Sequence, residues 1–123
     1  MKIALLGYGR MGKTIERYSI DRNHEIVFIL DKDYEKGNLG LADIAINFSI
    51  PEAAVSNIKI AMKQKIPVVC GTTGWLDNYE EITTFCKTQN TAFLYASNFS
   101  IGVNIFFKIN RLLSKLMGQN KKN

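Results

Sequence analysis

Short, unbroken apolar runs alternate along the chain with longer stretches in which apolar residues return every three or four positions. The unbroken runs are KIALLG at 2–7, EIVFIL at 25–30, ADIAINF at 42–48, IPVVCG at 66–71 and TAFLYA at 91–96. Side chains in a strand point alternately to its two faces, so a run that is apolar throughout suits a strand covered on both. The stretches between them read as helices. Residues 10–21 carry Met11, Ile15, Tyr18 and Ile20 at roughly helical spacing before the chain breaks at DRNH. The segment 49–65 predicts a second helix, with Ser49 and Glu52 as a capping box and Pro51 in the first turn. A third is predicted over 77–89, opened by the similar pair Asp77 and Glu80. Finally, Ile101, Ile105, Ile109, Leu112 and Leu116 run down one face of a long helix at 100–117.

Strands that alternate with helices predict parallel βαβ units. The expected fold is therefore α/β: an open, doubly wound, Rossmann-like parallel sheet of about five strands, with helices on both faces. The interval 31–42 breaks the rhythm. A dozen residues are too few for a full crossover helix. This segment is expected to pass as a loop, leaving the second strand at a sheet edge.

Composition narrows the class. At 123 residues, 46% apolar and 22% charged, the chain is expected to form one globular domain over 1–117, followed by the polar tail GQNKKN at 118–123. No apolar stretch approaches the roughly 20 residues that span a bilayer. The strand pattern begins at Lys2, so no targeting peptide is expected. Cys70 and Cys86 are too few for a disulfide framework and lack metal-ligand spacing, which suits a cytoplasmic chain with reduced thiols and no metal. The net charge of +5 comes from scattered lysines rather than a basic stripe interleaved with aromatics. Neither a nucleic acid nor a membrane is an expected partner, whereas a small anionic ligand fits.

The candidate chemistry starts where the first strand ends. Gly7, Gly9 and Gly12 fit G-x-G-x-x-G between a strand and a helix. The first glycine permits a tight turn, the second lets backbone approach a pyrophosphate, and the third lets the helix pack closely on the strand. The phosphates would meet unpaired N–H groups at the positive end of a helix dipole. Asp31, 19 residues past Gly12 at the end of the second strand, can accept hydrogen bonds from the adenosine ribose hydroxyls. Lys32 and Arg10 are cations that could pair with a 2′-phosphate, so dual use of NADH and NADPH or a preference for NADH is expected. Three further strand ends carry small polar residues: NFS at 47–49, CGTTG at 70–74 and ASNFS at 96–100. Singly each reads as a cap or turn; together they line one crest of the sheet, where ligands of open α/β folds bind.

The segments GYGRMG, INFSIPEAA, VVCGTTGW and ASNFSIGVN resemble the N-terminal half of the 4-hydroxy-tetrahydrodipicolinate reductase family, over residues 1 to about 117. The resemblance implies an NAD(P)H-dependent enzyme of lysine and diaminopimelate biosynthesis. Carried over by motif, Gly7, Tyr8, Gly9, Arg10, Met11 and Gly12 would hold the pyrophosphate, and Asp31 with Lys32 the adenosine ribose. Phe48 and Ser49 would lie near the cofactor. Gly71, Thr72 and Thr73, with Ser97, Asn98, Phe99 and Ser100, would flank the nicotinamide. Many members have one more residue in the glycine loop, a longer segment after the second strand, and IDF where Asn47 stands here.

The same resemblance places the catalytic His-His motif, its lysine and the tetramer contacts in a second domain, expected to lie beyond residue 123. His24, the sole histidine, falls in a polar turn before the second strand. Cys70 has no recognisable base beside it. The chain is thus expected to be the cofactor-binding portion of a reductase that takes a small dicarboxylate only with the second domain, and not a native-like tetramer alone. The alternative is a non-catalytic NAD(H)-binding or redox-sensing module.

Overall fold

The computed structural model describes residues 1–96. The long helix predicted at 100–117, and the candidate residues Ser97, Asn98, Phe99 and Ser100, lie outside the described residues. Six strands form one sheet: β1 (Lys2–Leu6), β2 (Glu25–Asp31), β3 (Tyr34–Gly37), β4 (Ile44–Asn47), β5 (Val68–Cys70) and β6 (Phe93–Tyr95). Their order across the sheet is β3-β2-β1-β4-β5-β6. All neighbours are parallel except β2 and β3. Three helices connect them: α1 (Arg10–Asp21), α2 (Pro51–Lys63) and α3 (Tyr79–Thr88).

The apolar runs become strands covered on both sides, as their pattern requires. Along β1, Ile3 and Leu5 point to one face while Ala4 and Leu6 point to the other, and all four are buried. On one face Ala4, Leu6, Val68 and Cys70 pack against Ala54, Ile58 and Met62 of α2 and Ile82 of α3. On the other, Ile3, Leu5, Ile29, Ile46 and Val69 pack with Ile15 of α1. No helix among the described residues is long and apolar enough to cross a membrane.

Several expectations need correction. Residues 31–42 are not a plain loop: after Asp31 the chain turns back and Tyr34–Gly37 pairs antiparallel with Phe28–Asp31. β3, not β2, is therefore the edge strand, and the sheet has six strands rather than about five. A hairpin needs only a tight turn, so the short interval suffices. The stripe expected on α1 also differs. Gly12, Ile15 and Ser19 are buried, whereas Met11, Tyr18 and Ile20 are exposed. The helix rests on the sheet through the narrow line of Gly12, Ile15 and Ser19.

Neither predicted cap forms. Ile50 is the N-cap of α2, and the Ser49 hydroxyl bonds backwards to Asn47 Oδ1 at 2.8 Å. Leu76–Asn78 form a short 3-10 turn, so α3 starts at Tyr79 with Asn78, not Asp77, before it.

Candidate functional site

At the carboxyl ends of the strands, β1 feeds α1 on one face of the sheet and β4 feeds α2 on the other. Adjacent strands that send their helices to opposite faces leave a crevice between them, the switch point of an open α/β sheet. The glycine loop forms one side of it. Gly7 has φ of +105°, and a Cβ there would collide with the Phe48 carbonyl, so glycine is required by the fold. Its N–H donates to the Leu30 carbonyl at 2.7 Å, which ties the loop to the end of β2. Gly12 is equally constrained: a Cβ would come within 2.5 Å of the Gly7 carbonyl oxygen.

Gly9 is different. It is the N-cap of α1, in extended conformation, and a Cβ there would meet nothing within 4 Å. No atom of the described residues explains this glycine; the space in front of it does. Gly9 has no side chain with which to cap the helix, and the first turn of α1 holds no acid. The helix N–H groups that a cap would satisfy therefore open onto the crevice with their positive dipole end unscreened.

The crevice is a cleft of about 600 Å³. Gly7, Tyr8, Gly9, Arg10 and Met11 line it from the loop, Asp31 and Lys32 from the end of β2, and Phe48 and Ser49 from the end of β4. Nine of the predicted residues thus share one cavity. Asp31 and Lys32 are both exposed at its rim. Gly12 sits behind the loop and does not line the cleft. Sequence reasoning missed four wall residues: Leu30, Ile50, Ala53 and Asn57. The signal was present, since positions 50, 53 and 57 share one side of a helix that starts at 51.

The CGTTG segment does not line this cleft. A Cβ on Gly71 would collide with the Phe48 ring, so this glycine lets an aromatic residue of the cleft wall lie flat against the strand end. Thr72 is buried, and its Oγ1 accepts the Ser49 N–H at 2.8 Å. The same oxygen lies 3.2 Å from the Ser49 carbonyl. The Thr72 hydroxyl therefore faces the protein, clamping the Phe48–Ser49 turn, while Thr73 is exposed. Asn47 completes the clamp: fully buried, it donates from Nδ2 to the Ala54 carbonyl at 3.3 Å and accepts the Ser49 hydroxyl. Trp75 Nε1 donates to the Thr72 carbonyl at 2.6 Å, and its ring meets Tyr95 edge-on at 5.6 Å.

The remaining reactive groups are quiet. Burial pushes the Cys70 thiol up to about 11 against the opposing contacts of Thr72, Trp75 and Asn47, so it is not a thiolate at neutral pH. His24 precedes β2, at the amino ends of the parallel strands and away from the cleft. Burial, then the N-terminal amine and Arg22, hold it below the usual histidine range. The Tyr8 hydroxyl donates to Glu16 at 2.6 Å, and that bond is the first cause of its raised pKa. No cluster of three or more metal-ligating side chains occurs among the described residues.

The family model for the N-terminus of dihydrodipicolinate reductase matches residues 1–99. The 4-hydroxy-tetrahydrodipicolinate reductase of Christiangramia forsetii is 56% identical over 119 residues, which are 95% of this chain and 50% of that protein. The enzyme of the same name from Methanocaldococcus jannaschii is 43% identical over 77 residues, 62% of this chain and 28% of that one. The chain thus spans about half or less of the length of these relatives. Among solved structures, the homoserine dehydrogenase of Thermoplasma acidophilum aligns with a TM-score of 0.67 at 14% identity, covering 77% of this chain and 42% of that one. A hyperthermophilic archaeal homoserine dehydrogenase in complex with NADPH aligns at 0.60 and 14%, over 76% and 43%. At such identities these likenesses establish the fold alone.

Proposed function

The chain belongs to the dihydrodipicolinate reductase family, and from that premise we propose that it is the cofactor-binding portion of a 4-hydroxy-tetrahydrodipicolinate reductase. One observation carries the reading: Gly9, a glycine that no contact among the described residues demands, opens the uncapped start of α1 onto a cleft whose rim holds Asp31. Backbone N–H groups of residues 9–12 bind the diphosphate of NADH or NADPH. The Asp31 carboxylate accepts from the adenosine ribose hydroxyls, with Lys32 and Arg10 as neighbouring cations. Phe48 and Ser49, held by the Thr72 clamp, carry the middle of the dinucleotide towards Gly71, Thr73 and the 97–100 segment at the nicotinamide end.

The dinucleotide, when bound, supplies the hydride; the protein supplies orientation and a proton. The described residues bear on orientation. His24 stands at the wrong end of the sheet to protonate a substrate, and the Cys70 thiol is buried and neutral. The family resemblance places the residues that reduce the small, cyclic dicarboxylate outside the nucleotide-binding domain assigned to 1–117. The setting is cytoplasmic, with both cysteines reduced, and tetramer contacts belong to that further region.

Titrating the chain with NADH, read by nicotinamide and Trp75 fluorescence, tests the reading. Saturable binding is expected. Gly9→Val and Asp31→Ala should each weaken it about tenfold or more, the loss typical of charge-assisted contacts, while circular dichroism stays unchanged. Absence of a saturable change up to millimolar NADH, or unaltered affinity in both variants, overturns it.

A further inference from the structure

Tyr8 stands in the loop between Gly7 and Gly9, yet its polar end serves the protein rather than the cleft. Its hydroxyl donates to Glu16, further along α1, at 2.6 Å. The Lys13 ammonium lies over its ring, 5.5 Å from the centroid. The same ring stacks on Tyr34 of the β2–β3 hairpin, with centroids 6.4 Å apart and planes inclined by 19°. That is the separation of a favourable aromatic pair. One side chain of the glycine loop is thus held by the helix and, in turn, holds the hairpin.

Tyr34 has little other employment. It is 48% exposed and belongs to neither hydrophobic cluster of the described core. Its strand is exposed at every position and closes the edge of the sheet. Its place in the register gives it meaning: Tyr34 sits directly opposite Asp31, across the turn of Lys32 and Asp33. Opposed residues of an antiparallel pair carry their side chains on one face, about 5 Å apart at Cβ. The ring that Tyr8 grips therefore stands beside the Asp31 carboxylate.

We propose that the Tyr8–Tyr34 stack is a positioning brace, which sets the spacing between the open start of α1 and the Asp31 carboxylate before the dinucleotide arrives. The proposal rests on the cofactor reading above, in which the loop takes the diphosphate and Asp31 the ribose. An edge hairpin that buries nothing opens locally with ease. A ligand that must touch both anchors would then spend part of its binding energy on ordering them, and the stack removes that cost. The gain cannot exceed what the stack itself contributes, which limits it to about tenfold in affinity.

The test titrates NADH against the 123-residue chain and its variants. Tyr34→Ala should weaken binding about three- to tenfold, and Tyr34→Phe, which keeps the stack, should restore the parent's affinity. The decisive comparison adds Tyr34→Ala to Asp31→Ala. With the carboxylate gone there is no second anchor to place, so the further substitution should change little, whereas general destabilisation of the fold would add its full effect. If Tyr34→Ala binds as the parent does, or loses equally in both backgrounds, the proposal falls. The cofactor reading still stands in that case, provided that the parent binds and Asp31→Ala alone weakens it. If the parent itself binds no NADH, both fall together.

Discussion

At the residue scale, side-chain type was legible and side-chain direction was not. Thr72 shows why. A threonine at a strand end beside glycine suits a ligand contact, and nothing in CGTTG says that its hydroxyl turns inward to receive the Ser49 N–H. The same holds for Ser49, which has the right spacing for a cap yet bonds to Asn47 instead. In both cases a partner, 23 positions away for Thr72 and 2 for Ser49, outcompetes the local alternative, and tertiary geometry selects it. The clamp makes a prediction. Thr72→Val keeps shape but leaves the Ser49 N–H without its acceptor, which should cost about 1–3 kcal/mol of folding stability. Thr72→Ser keeps the oxygen and loses one methyl, so it should cost about 1 kcal/mol. Urea denaturation of the two variants checks this. A larger loss for Thr72→Ser than for Thr72→Val would mean that the methyl, not the hydroxyl, is what the fold uses.

At the element scale, the five parallel strands could be read from solid apolar runs because a two-sided core leaves no other place for them. β3 could not. Its sequence, YEKG, is exposed at every position, so it buries nothing that a hydrophobic pattern could register. What holds it is backbone pairing with β2 and a turn at Gly37, whose φ is +90° and whose Cβ would collide with the Val27 carbonyl. The hairpin matters to the cleft because Asp31 is paired with Tyr34 in its register. Gly37→Ala should therefore detach β3 while sparing the parallel core. Amide exchange at Phe28–Asp31 should accelerate, exchange in β1 and β4 should stay slow, and NADH affinity should fall several-fold as Asp31 loses its support. Uniform acceleration through β1 and β4 would instead show that the hairpin is part of the global folding unit.

At the scale of the molecule, the location of the cleft follows from the chain order of elements, since β1 and β4 send their helices to opposite faces whatever the side chains at their tips. That much was legible. The balance between NADH and NADPH was not, because it depends on which of two opposed charges stands closer to the second ribose hydroxyl. Asp31 is the last residue of β2, held there by its pairing with Tyr34 of β3, whereas Lys32 follows in the turn. A carboxylate held by the sheet should dominate a longer, mobile-headed cation, because a 2′-phosphate brought against it meets like charge in a partly desolvated cleft. NADH should then bind tighter than NADPH. Asp31→Asn removes the repulsion while retaining an acceptor, and should move the NADPH-to-NADH affinity ratio about tenfold towards NADPH. Lys32→Ala should move it the other way by a smaller factor, and raising the ionic strength should weaken NADPH more than NADH. Parallel titrations of both cofactors against the three chains decide the matter. A ratio that does not respond to Asp31→Asn would mean that the ribose lies away from the end of β2, and the direction of the dinucleotide along the cleft would have to be reversed.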